Sequence, residues 1–162
     1  MYTVFVVLHI LCAGVWFTIG IANMLLLKQV AKTKGTAGEL AHMSSQALLG
    51  RVMGMIGGIG ILITGGAMTG IAGLGWFPFG TLNWLACKQT VWVILFIISL
   101  AVMMPKGKKI EAMIASESAS PNAAKGASEG LRAQMATLKT FGIIMNLLVL
   151  VNIILGVWKP IF

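Results

Sequence analysis

Leu8-His9-Ile10-Leu11-Cys12-Ala13-Gly14-Val15-Trp16-Phe17 lies inside an apolar run from Met1 to Leu27 that is long enough to cross a bilayer as one helix. His9 is the only histidine in any apolar run of the chain. An ionisable or metal-ligating side chain at membrane depth is costly, so it marks a functional site by default. Steps of three and four from His9 reach Cys12, Ala13, Trp16, Gly20 and Asn23, a small, polar or aromatic stripe. Val6, Ile10, Phe17, Ile21 and Leu25 form the oily opposite side. One face of this helix is therefore expected to point at protein or a cofactor, and the other at lipid.

The rest of the composition agrees. The chain has 162 residues, of which 58% are hydrophobic and 10% charged, and its mean hydropathy is +0.94. Soluble domains carry about 25% charged residues, so an all-α integral membrane protein is expected, a four-helix transmembrane bundle forming one domain over 1–162. The spans read as about 2–27, 48–74, 81–104 and 134–158, with a mobile loop over about 110–132, where Ser116 to Gly130 is rich in Ala, Ser and Gly. The start has no basic n-region and its apolar run is too long for a cleavable signal peptide.

The net charge of +8 arises from 12 basic and 4 acidic residues. The 1–2 connection carries Lys28, Lys32 and Lys34, with Arg51 at the foot of the second span. The 3–4 connection carries Lys106, Lys108, Lys109, Lys125 and Arg132, while the 2–3 turn carries none. The positive-inside rule then puts both basic loops in the cytoplasm and both termini outside, in a multi-pass protein of the cytoplasmic (inner) membrane. Anionic lipid head groups and orientation account for the charge, and no basic–aromatic module suggests nucleic acid. Cys12 and Cys87 lie in apolar runs without a Cys/His cluster, which argues against zinc.

Depth then groups the polar residues. His9, Lys88 and Asn152 each lie seven residues from the expected outer end of their span, about 10 Å in, and Thr69 lies five from the end of its own. Each has a packing alternative. Lys88 can snorkel to the outer interface, Asn152 and Asn146 can bond between helices, and Thr69 can bond its own backbone. His42 falls at the cytoplasmic end, roughly 35 Å from His9 along the normal, so one chain cannot use both histidines on one haem. Met68 falls near the level of His9, which permits a His9/Met68 axial pair on a haem or a copper site from His9, Met68 and Cys12. Gly50-x3-Gly54-x3-Gly58 and Gly66-x3-Gly70 in the second span suit close helix packing, or flat space for a planar cofactor.

His9 with Trp16-Phe17, Arg51 opening the glycine-rich span, Trp84-Leu85-Ala86-Cys87-Lys88, and Trp158-Lys159-Pro160 resemble the HemJ/CopD-like group of small four-helix membrane proteins, which includes HemJ-type protoporphyrinogen oxidases. The chain differs from that group at Asn23-Met24-Leu25, where a basic residue is usual, and at Leu138-Lys139-Thr140-Phe141, where Asn-Glu-x-Pro is usual. The resemblance implies haem b and tetrapyrrole oxidation, with key positions at His9 and Lys88.

The site expected on both grounds has His9 as metal ligand, Lys88 as catalytic cation, and Met68, Trp16, Arg51 and Asn152 around the cofactor. Three functions follow from it: a haem b membrane redox protein, copper handling as in CopD-like relatives, or a non-catalytic subunit of a larger complex. The expected partners are the lipid bilayer, a membrane redox partner or quinone, and copies of the chain or other subunits.

Overall fold

The computed structural model describes residues 1–81 and 83–159. Leu82, expected in the third span, and 160–162, which include Pro160 of the closing motif, lie outside the described residues. Four long helices follow one another: α1 Tyr2–Lys32, α2 Ala37–Ile71, α3 Asn83–Ser118 and α4 Glu129–Trp158. All four are long and apolar enough to cross a membrane, and among the described residues there is no strand. The chain is a four-helix membrane bundle. The close of α4 and the start of α3 lie at one end, since Lys159 stands over Trp84.

The helices outrun the expected spans chiefly at the end that carries the basic loops, termed cytoplasmic, with its opposite termed outer, after the positive-inside expectation, and a second core holds them there. α2 begins eleven residues before the expected Leu48, and α3 continues to Ser118. Their extensions bury Leu40 and Met43 of α2 against Ile110 and Ile114 of α3 and Ala127 and Leu131. Ile110 and Ile114 are one turn apart and so share a face. This corrects the loop expected over 110–132. Helix runs to Ser118, a short turn covers Ala123–Lys125, and α4 starts at Glu129, where the Ser128 hydroxyl caps it by accepting from Leu131 N at 3.1 Å. Pro105 does not end α3. The turns just before it, Ser99–Met103, are of the wider π type, and such turns relieve the clash a proline ring makes with the preceding turn of helix. A second wide segment, Met53–Ile59, falls in the glycine-rich part of α2.

Within the membrane, a core of Trp16, Ile19, Met53, Leu95, Met145 and Val149 draws on all four helices. α1 packs closely along α2, and α3 along α4. The closest backbone approach between these two hairpins is cytoplasmic, between the N-terminal part of α2 and the C-terminal part of α3. Nearer the outer end the hairpins are joined by side chains, notably Trp16 Nε1, which donates to Asn146 Oδ1 at 3.0 Å.

A buried carboxylate ties the cytoplasmic end. Glu39 is 1% exposed and accepts from Gly35 N, Ala127 N and, at 2.7 Å each, from Arg132 Nε and Nη2. Gly126 makes this possible, because its φ is +77° and a Cβ there would lie 2.9 Å from Thr36 N.

Candidate functional site in the outer half of the bundle

The expected inward stripe of α1 is realised. Trp16 is buried, and His9, Cys12, Ala13, Gly20 and Asn23 are half-buried, whereas Ile10, Phe17, Ile21 and Leu25 are exposed. Only Val6 of the oily side is half-covered. The stripe lies on the glycines of α2. A Cβ at Gly57 would stand 3.1 Å from Trp16, one at Gly60 2.5 Å from Cys12 Sγ, and one at Gly65 3.4 Å from His9 Cε1. These glycines are occupied by α1, so their work is close helix packing. The alternative, flat space for a planar cofactor, is not on this face.

His9 is held by a residue that sequence reasoning assigned no part. Its Nδ1 lies 2.8 Å from Thr64 Oγ1, and Thr64 Oγ1 lies 2.6 Å from Gly60 O. A carbonyl only accepts, so the threonine hydroxyl donates to Gly60 and offers its lone pairs to His9. The hydrogen-bond network thus assigns the proton of His9 to Nδ1 and leaves a lone pair on Nε2. This is the tautomer a ligating histidine adopts when a neighbour fixes its other nitrogen. Thr69, which depth had grouped with His9, bonds its own helix through Gly65 O at 3.0 Å. The shift from Thr69 to Thr64 has a simple cause. α2 ends at Ile71 rather than Leu74, with Gly73 at φ +65° just beyond. Seven residues back from that end is Thr64, as seven in from Tyr2 is His9. A C-terminal glycine in the left-handed region was the available signal.

The other expected residues divide into three groups. Met68 is one turn outside Thr64 on α2, and the pairing of α1 with α2 puts it about 6 Å outward of His9. Trp16 is one heptad deeper than His9 and bonds α4 through Asn146. Arg51 belongs elsewhere, a correction to its place around the cofactor. It pairs with Glu111 at the cytoplasmic end, thirteen residues and about 20 Å along α2 from Thr64.

Lys88 and Asn152 form the third group. Asn152, buried on α4, donates from Nδ2 to the Lys88 carbonyl at 3.1 Å, the interhelical role expected of it. The Lys88 side chain then lies across α4 at Gly156, where a Cβ would stand 2.6 Å from Nζ. Gly156 is one turn nearer the outer end than Asn152, so the ammonium points outward, as a snorkelling lysine does. Among the described residues no three His, Cys, Asp or Glu side chains gather as a metal group.

No family model, curated protein or solved structure matches the chain.

Proposed function

We propose that the chain is a haem b-binding membrane redox protein with His9 as the axial ligand. The observation that carries this reading is the chain of bonds from His9 Nδ1 through Thr64 Oγ1 to Gly60 O. It fixes ring orientation and tautomer at an otherwise expensive depth, and it leaves Nε2 as a donor to a metal. A haem would supply reversible one-electron chemistry at that nitrogen. The chain's own residues do the rest. Thr64 orients the imidazole, Trp16 and the core beneath it exclude water from the cytoplasmic side, and Lys88 supplies positive charge that favours the electron-rich state. Electron transfer to a membrane partner or quinone is the activity these residues support most directly. Tetrapyrrole oxidation rests in addition on the resemblance to HemJ-type proteins.

The test is a reduced-minus-oxidised visible spectrum of detergent-purified protein from haem-replete cells, beside His9→Ala and Thr64→Val. A Soret and α-band lost in His9→Ala and weakened in Thr64→Val is expected. A spectrum unchanged in His9→Ala removes the ligand assignment.

One observation favours a second reading, a non-catalytic subunit of a larger membrane complex. The glycine face of α2 is filled from within, while Gly50, Gly54 and Gly70 have nothing within 4 Å of where a Cβ would stand. A colourless wild-type protein that co-purifies with larger partners is the outcome that supports it.

A further inference from the structure

All four side-chain carboxylates of this protein, Glu39, Glu111, Glu117 and Glu129, belong to the cytoplasmic extensions of the helices. Two lysines stand at the other end. Lys88 Nζ lies at Gly156, and Lys159 Nζ lies 5.6 Å from the centre of the Trp84 ring. Trp84 is one turn before Lys88 on α3, so both ammonium groups converge on the mouth between α3 and α4. The two are near enough to repel each other. Among the described residues neither has a carboxylate or a hydrogen-bond partner. Lys159 closes α4 in the left-handed conformation, φ 47° and ψ 53°.

Two cations held together, with no acidic side chain on that side, lack a side-chain counter-charge. The level of the site identifies the anion. Trp158 and Trp76 are 75% and 63% exposed at this same end, where aromatic rings mark the head-group layer. A lipid phosphate sits in that layer, and lysine binds phosphate as a point charge without needing a planar fork.

We infer that Lys88 and Lys159 form a binding site for the phosphodiester of an anionic lipid in the leaflet bordering the Trp84/Trp158 end. Gly156 leaves the slot through which Lys88 reaches it. This goes beyond the haem reading and stands without it.

Native mass spectrometry of the full chain, released from nanodiscs containing equal phosphatidylglycerol and phosphatidylcholine of identical acyl chains, tests it. The wild type is expected to retain phosphatidylglycerol preferentially. Lys159→Gln should lower that preference about fivefold and Lys88→Gln/Lys159→Gln about 30-fold, while Lys106→Gln/Lys108→Gln at the cytoplasmic end leaves the retention assigned to this site in place. Lys159 is exposed, so its single variant reads the site even where the double variant fails to fold. Equal retention of both lipids by the wild type overturns the proposal, as does preference unchanged in Lys159→Gln and the double variant. A parallel arm adds inorganic phosphate. Retention of phosphate without phosphatidylglycerol makes the ligand a soluble anion and overturns the lipid assignment.

Discussion

His9 was legible from sequence as a candidate site because a histidine has no inexpensive place at membrane depth. Its partner was not, because the end of α2 was read three residues late, and three residues turn a helix by most of a turn. Thr64→Val keeps the shape of the side chain and removes the oxygen. Loss of such an outer partner weakens a metal ligand 10- to 100-fold, and haem titration followed by absorbance should show that loss with helical content unchanged. The glycines of α2 were legible as a packing surface, but not their assignment to particular side chains. Gly60→Ala tests that assignment. Alanine gains about 1 kcal/mol in helix propensity over glycine, yet its Cβ meets Cys12 Sγ at 2.5 Å. Overpacking of this kind costs about 1–3 kcal/mol, so a net loss of stability is expected in detergent unfolding. Adding Cys12→Ala should relieve it. Relief by an unrelated substitution such as Cys87→Ala would locate the strain elsewhere.

Among the elements, the four spans were plain from hydropathy and length, and their cytoplasmic extensions were not. Hydropathy falls off where Lys and Glu enter, although Leu40, Met43, Ile110 and Ile114 still lie on inward faces. Pro105 reads as a stop in isolation and is absorbed by the wide turns before it. The two ion pairs of this region differ by burial, and so should their variants. Arg51 is more than half exposed in its pair with Glu111, and exposed pairs contribute about 0–1 kcal/mol, so Arg51→Ala should barely move thermal unfolding. Glu39 is 1% exposed, and removing one member of a buried pair costs about 3–5 kcal/mol. Arg132→Met leaves the carboxylate stranded and should fall near the top of that range. Glu39→Gln frees an arginine that is 29% exposed and should fall at or below the bottom. The reverse order would mean that the arginine, not the carboxylate, is the sequestered partner.

For the molecule as a whole, the charge distribution is the feature the sequence carried most directly. Ten of the twelve basic residues lie at one end, and all four acidic side chains lie with them. The positive-inside rule predicts an orientation from this charge, and a cysteine scan on a Cys12→Ala/Cys87→Ala background checks it. A cysteine at Gly75 should react with a membrane-impermeant maleimide on intact cells, and one at Ser120 only after lysis. What no linear reading contained is how the hairpins meet, since Trp16–Asn146 and Glu39–Arg132 join residues far apart in the chain. That separation bears on biogenesis. A chain made from its N-terminus inserts the first hairpin while Glu39 holds only the nearby Gly35 amide. Ala127 and Arg132, 88 and 93 residues further on, do not yet exist. The nascent protein therefore exposes an uncapped carboxylate at the cytoplasmic face until the last helix begins to emerge. Capping of that group marks the moment when translation has reached the first turn of the last helix.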